Sequence, residues 1–356
     1  MTWSIHPASQ LQTTYSDLWS VLNREYSDAH PLLDPKFVIP LYKHFGSERV
    51  LLGIEQAIDG KTTGALLIES RGKGVWQIFL PSQAQIAPAV FGRRHSVEEF
   101  CHSLENLMAS LPGFVWLVEL VNQDPDYSAP VKDFNIRRAE WRAHATTINI
   151  IPQGSFEEYW KSRSRKMTSD IERTFRRLEK EGISARLIEQ REHADMAAAV
   201  AVHGDLEAAG WKGKNGTAIQ RDNVQGHFYT EVMQNYSDSR GACAYQLYFG
   251  DRVAASQLTI VQNGMLVLLK TAHDESLSIY SPGRLIDYLM LQRLFADSEI
   301  RRIEFYTNAS RDDSRWTTGS RHIGHVNFFR SAILKRLVQI ARKIRTFPGE
   351  SKKGSG

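Results

Sequence analysis

The run Tyr280-Ser281-Pro282-Gly283-Arg284 holds residue types at a spacing that could do chemistry. Ser281 stands where a helix N-cap belongs and Pro282 at the first helical position, the favoured residues for both. Gly283 withdraws a side chain where an anion could approach first-turn amides, and Arg284 adds positive charge beside them. Strand, loop and helix N-terminus in that order form a cradle for a phosphate or pyrophosphate. The same residues would also serve simply to start a helix. Upstream, Leu266-Val267-Leu268-Leu269-Lys270 reads as a buried strand. Downstream, Leu285, Ile286, Leu289, Met290, Leu294 and Phe295 recur at helical spacing.

Groups able to move a proton are few. Glu207 follows His203 at i,i+4 and precedes Trp211-Lys212, so acid and imidazole could face one side of a pocket. His273-Asp274-Glu275 falls just after the strand that leads to the cradle. Each of these could equally be a solvated surface charge. A Gly-x-Ser-x-Gly elbow, a His-Glu-x-x-His pair, a Cys-x-x-Cys pair and a Walker loop are all missing from the sequence, and no metal is expected.

These residues must be held by ordinary globular structure. The 356 residues are 42% hydrophobic and 24% charged, which excludes a disordered or collagen-like chain and suits two domains. No run of apolar residues is long enough to span a bilayer, so no membrane insertion is expected. The opening MTWSIHPASQ lacks a basic region followed by an apolar one, and only Cys101 and Cys243 occur, so a cytoplasmic setting is expected. A net charge of +4 suits an anionic ligand but is too weak to argue for nucleic acid.

The pattern alternates helices and strands. Residues 8 to 26 read as a helix, and the Pro-marked stretch 30 to 40 as a connection. Strands are expected at 50 to 54, 64 to 68, 75 to 80, 114 to 121 and 146 to 151, with a helix at 97 to 110. In the second half, strands at 244 to 249, 253 to 261 and 265 to 271 are linked by turns at Gly250-Asp251 and Asn263-Gly264. Residues 59 to 91 and 250 to 286 share one strand–turn–strand–turn–strand–Pro-loop order, and internal duplication explains it most simply. Between the halves, 156 to 181 reads as one Arg-rich helix ended by Gly182, its acids making it an ion-paired face. A final helix, 329 to 344, presents Ile333, Leu334, Leu337, Val338, Ala341 and Ile344 on one face.

Tyr-Ser-Pro-Gly-Arg-Leu at 280 to 285, Trp211-Lys212-Gly213 with Thr217-Ala218-Ile219, and the Arg-rich helix together resemble the GNAT-type acyltransferases. Within them the chain is similar to the branch of the cellulose-biosynthesis (CelD-like) acetyltransferases and the FemAB-like peptidoglycan transferases. The likeness is good over 155 to 330 and weaker over 1 to 150. The Gln/Arg-x-x-Gly-x-Gly/Ala loop of single-domain relatives is missing.

The resemblance implies an α/β fold with a mixed sheet and tandem GNAT-like domains. Residues 1–152 would be a degenerate copy, 153–345 the catalytic one, and 346–356 a disordered tail. It implies an N-acyltransferase carrying an acyl group from acyl-coenzyme A to an amine of a small-molecule, sugar or amino-acid precursor, in surface polysaccharide synthesis. An aminoacyl-tRNA or acyl carrier protein donor, or a non-catalytic scaffold, stays open beside it. Coenzyme A would contact Ser281, Pro282, Gly283 and Arg284, with the thioester carbonyl at a backbone amide near Leu269 or Lys270. Glu207, His273 or Asp274 would take the proton of the amine. Tyr306 would protonate the leaving thiol, and Trp211, Lys212 and Trp316 would line the acceptor side. The loop Pro81 to Gln85 has neither the glycine nor the arginine, so no cofactor is expected in the first half.

Overall fold

The computed structural model describes residues 1–92, 97–127, 136–210, 219–310 and 312–346. The first half runs β1 (Thr2–Pro7), α1 (Ser16–Tyr26), α2 (Pro35–Phe45), β2 (Val50–Gln56), β3 (Thr62–Gly72), β4 (Val75–Ile78), a short β5 (Ala89–Phe91), α3 (Val97–Ser110), β6 (Leu117–Gln123) and β7 (Ala139–Ile150). The second runs α4 (Phe156–Lys161), α5 (Arg165–Lys180), β8 (Ala185–Gln190), α6 (Met196–Ala209), α7 (Val224–Ser237), β9 (Ala242–Phe249), β10 (Arg252–Gln262), β11 (Met265–His273), α8 (Pro282–Ala296), β12 (Arg302–Glu304), β13 (Gly319–Phe329) and α9 (Ala332–Thr346).

The two halves repeat one topology. In each, three antiparallel strands end beside a parallel fourth. Val75, Trp76 and Gln77 pair with Leu117, Val118 and Glu119, as Met265, Leu266 and Val267 pair with Arg302, Ile303 and Glu304. The halves do not close separately. All strands join one mixed sheet in the order β1-β2-β3-β4-β6-β13-β7-β12-β11-β10-β9-β8, with β5 beside β3. Strand β13, from the end of the chain, therefore lies against β6 of the first half, while β7 lies against β12 of the second. A cut at 152/153 separates the sequence repeats but severs a sheet in which each half lends its last strand to the other.

Helices cover both faces. On one, α1, α2, α6 and α7 pool a single core in which Trp19, Phe37, Leu41, Phe228, Tyr236 and Val267 are buried. Phe37 and Phe228 meet edge to face at 5.6 Å across the repeat boundary. On the other face α3 covers the first half, and α4, α5 and α8 cover the second.

Several sequence expectations are corrected. The single helix over 156–181 is two: Ser162 closes α4, and Ser164 caps α5 by accepting from Met167 N. Gly182 does end α5, at φ 68° with Ile183 N bonded to Leu178 O at 2.9 Å. The stretch at 30 to 40 becomes α2 because Asp34 caps it and Pro35 starts it. Its internal Pro40 is offset by the burial of Phe37, Val38 and Leu41. β1 and β13 were not expected, and β7 begins seven residues before the Thr146 start read from sequence. Of the tail, only Thr346 lies within the described residues.

Candidate active site

β11 and β12 pair over three positions and then diverge. At the point of divergence β11 carries a bulge. Leu258 pairs with Lys270 and Thr259 with Leu268, which leaves Leu269 as the extra residue and turns its backbone out of the β10 ladder. Two cavities meet at this splay and share Leu268, Thr271, Phe305 and Thr307. One, of about 520 Å³, runs to Ser281–Arg284 and is walled by Trp316. The other, of about 320 Å³, is lined by Tyr229, Lys270 and Tyr306, and by Ser82, Gln83 and Gln85 of the first half. Gln85 Nε2 reaches Leu269 O at 3.3 Å, so the first half helps to wall the bulge. Its own splay, between β4 and β6, is stitched by chain: Ala87 N bonds Asn122 O, and Asn122 Nδ2 bonds Gln85 O.

α8 starts as the sequence indicates, with one difference. Ser281 is the N-cap at φ 48° and makes no side-chain cap bond, so its hydroxyl is not spent on the helix. A Cβ on Gly283 would meet only His273 Nδ1, at 3.5 Å, so the space in front of this turn is open. Arg284 is paired with Asp312 at 2.7 Å and approaches Asp170 at 4.0 Å. A third cavity, of about 340 Å³, opens on the far side of Ser281 and Arg284 and is lined by Arg173, Arg177 and Asp170 of α5. The cavity at Gly283 has three carboxylates, Asp287, Asp312 and Asp313, against Arg284. The α5 cavity has three arginines against one carboxylate. The α5 side, over Ser281, is therefore the more cationic of the two.

Asp287, one turn beyond Gly283, was not anticipated. It lines the large cavity and accepts from Gln257 Nε2 at 2.6 Å, while Gln257 also reaches Thr271 Oγ1 at 3.4 Å. Burial pushes its carboxyl up to about 7, against the Gln257 hydrogen bond and with help from Asp313. In sequence it is one more polar residue in α8. Its signal is visible only once α8 lies on β10. Arg173 and Arg177 were read as part of a solvated face for the same reason.

The other expected residues are distributed as follows. Glu207 is buried, 3.7 Å from His203 Nε2, and accepts from Ile219 N at 3.0 Å. It shares a cavity of about 70 Å³ with Thr271 and His273, so these two expected residues do come together. His273 also lines the large cavity. Asp274 faces away: it caps the 3₁₀ turn 275–280, pairs with Arg252, and its carboxyl is held low by Ser276 and Arg252 against partial burial. Its carboxylate is thus engaged by the cap and by Arg252. Leu269 and Lys270 line the second cavity, with Lys270 Nζ 5.5 Å from the Tyr229 ring. Trp316 walls the Gly283 cavity, not the side lined by Lys270 and the first half. Trp211 and Lys212 lie outside the described residues.

Tyr306 is drawn into the seam where the halves exchange strands. His30 Nδ1 accepts from Leu32 N, so its Nε2–H donates to Tyr306 Oη at 2.7 Å. Tyr306 in turn donates to Asp124 Oδ2 at 2.7 Å, and Arg321 adds a bond at 3.1 Å. Burial and Asp124 raise its hydroxyl well above the ordinary tyrosine value. Its proton is directed to Asp124, while its ring lines the second cavity. Arg321 bridges the buried Asp124 and Glu304, and Arg302 extends the network of paired charges from Glu304 to Asp126 at the surface.

Residues 165–316 match the model of the acetyltransferase (GNAT) domain. The fold is of the GNAT acyltransferase type. The crystal structure of FemX superposes on this chain with a TM-score of 0.59 at 8% identity, covering 91% of this chain and 98% of that one. A conserved protein of unknown function from Bacteroides thetaiotaomicron gives 0.55 at 8% identity over 88% and 97%. A C-terminal domain from Agrobacterium fabrum, provisionally named as a lysylphosphatidylglycerol synthetase, gives 0.50 at 9% over 90% and 98%. At these identities the likeness is one of fold. No curated protein sequence matches the chain. Among the described residues, no helix is long and apolar enough to cross a membrane, and no cluster of metal-ligating side chains occurs.

Proposed function

We propose that the protein is an N-acyltransferase that moves an acyl group from a coenzyme A-type thioester to an amine. The observation that carries this reading is the splay at β11/β12, with a bulged residue, Leu269, at its mouth and a cavity on either side. The donor would lie from the α5 arginines over Ser281 and past Gly283 to the splay. The amine would enter from the side lined by Lys270, Tyr229 and the first-half loop. A thioester supplies an acyl carbon open to attack and a thiolate leaving group. The backbone amide at Leu269 or Lys270 would hold the oxyanion. Asp287, with its carboxyl near neutrality, would take the proton that the amine sheds; Glu207 and His273 share the adjacent cavity and are next in line.

A carrier-bound donor is the second reading. It presents the same phosphopantetheine arm to the splay, and the Arg173/Arg177 side would then meet one phosphate in place of a diphosphate. A sugar-amine acceptor, and a place in surface polysaccharide synthesis, rest on the resemblance to the CelD-like branch and on no particular residue. The free cysteines Cys101 and Cys243 support a reducing compartment.

Calorimetric titration with coenzyme A and acyl-coenzyme A thioesters of increasing length tests the reading. Micromolar binding that Gly283→Phe abolishes, with an unchanged circular dichroism spectrum, is the expected result. Unaltered binding by that variant would remove the site from α8. No binding by the folded wild type, with transfer from an acyl carrier protein, would select the second reading.

A further inference from the structure

We propose that α9 docks the protein onto an anionic phospholipid bilayer, lying in the plane of the interface. Ile333, Leu337 and Ile340, spaced four and three residues apart on one face, are 71%, 56% and 55% exposed. Phe114 is 70% exposed, and the Arg330 guanidinium just before α9 lies 4.9 Å from its ring. Of the nine large apolar side chains exposed among the described residues, these four gather on or beside one helix.

The helix is fastened so that this stripe points outward. Lys335 Nζ donates to Ile136 O and Ala139 O at 2.8 and 2.5 Å, and Arg342 pairs with Glu140 at 2.9 Å. Leu334 and Val338, which the sequence pattern grouped on one face with Ile333 and Leu337, are instead the half-buried apolar residues of the other face.

Charge selects the occupant. Residues 330–349 hold no Asp or Glu, and besides Lys335 and Arg342, which fasten the helix, they carry Arg330, Arg336, Lys343 and Arg345. A second copy packed by twofold symmetry would set these like charges together, whereas an anionic headgroup layer neutralises them. Apolar stripe plus one-signed cationic flanks is the pattern of helices that lie on membranes without crossing them. α5 provides the internal contrast, because its arginines are interleaved with Asp170, Glu172, Glu179 and Glu181 in or just after it.

The test is co-sedimentation of the full chain with vesicles of phosphatidylcholine, with and without phosphatidylglycerol. Binding should require phosphatidylglycerol and weaken with added salt. Leu337→Glu should lower the partition coefficient about tenfold or more, and Arg336→Gln about fivefold. Ile340→Ser is the milder second variant, and circular dichroism checks that all remain folded. Equal binding to both vesicle types, or no loss in folded Leu337→Glu, would overturn the proposal. So would light scattering that shows a dimer dissolved by Leu337→Glu without any vesicle binding.

Discussion

Asp287 shows how one residue's chemistry depends on where a helix is laid. Its carboxyl sits near 7 because burial outweighs the bond from Gln257. The folded value is raised above the unfolded one, so ionisation opposes folding. This cost is absent below the ordinary value of 3.8, grows as pH rises from there to about 7, and is constant above. As a base, Asp287 must be ionised, so turnover should rise with pH through about 7. Asp287→Asn is therefore expected to lower kcat by roughly a hundredfold, to erase that limb of the pH profile, and to melt no lower than wild type above pH 7. Full activity with the limb intact would assign the base to Glu207 or His273.

At the scale of elements, α5 and α8 act together: the start of α8 supplies the open turn at Gly283, and α5 brings arginines beside it. Arg173 is already held by Asp170 at 2.6 Å and Arg177 by Glu181 at 3.3 Å, so an anionic ligand would be exchanged for these surface pairs. Arg173→Ala with Arg177→Ala should raise the dissociation constant for the donor about tenfold or more at low salt, the charge-assisted range. The difference should shrink as salt is raised, with kcat at saturation little changed. Equal affinities by titration would show that α5 does not hold the donor. The Ser-Pro-Gly-Arg start was legible because N-cap and N1 preferences are local. The break of α4 from α5 at Ser162-Arg163-Ser164 was missed because serine also sits in helix interiors, and only the caps made by Ser155 and Ser164 reveal two starts.

At the scale of the molecule, strand exchange couples the halves. Fragments 1–152 and 153–356 should each fail to unfold cooperatively when expressed alone, and should regain a single transition when expressed together. A cooperative melt from either fragment by calorimetry would contradict the shared sheet. The seam also gives a pH signature. Burial pushes His30 down to about 3, with Asp124 opposing and Arg321 and Arg302 assisting. Its folded value lies below the unfolded one, so its contribution to stability is complete above about pH 6.5 and is lost below it at about 1.4 kcal/mol per pH unit. His30→Gln should flatten that acid loss between pH 6.5 and 5 in denaturant melts; an unchanged slope would place its origin elsewhere, such as His325, which burial lowers to about 4.

The sequence by itself determined the repeated three-strand units, the hairpin at Asn263-Gly264, the C-cap at Gly182 and the opening of α8, because each rests on period and turn chemistry within a few residues. Through the GNAT resemblance it also led to the expectation of a thioester contact at Leu269 or Lys270; what the structure adds is a bulge at Leu269. The tertiary structure alone decided the exchange of β7 and β13, since partners as far apart in sequence as Ile150 and Ile303, or Gln123 and Gly324, leave no local pattern. It decided too that Tyr306 belongs to the seam, that Asp274 is a cap and that Asp287 is a candidate base. Those roles follow from which neighbours bury a group and which hydrogen bonds satisfy it, and neighbours are fixed only when the sheet is assembled.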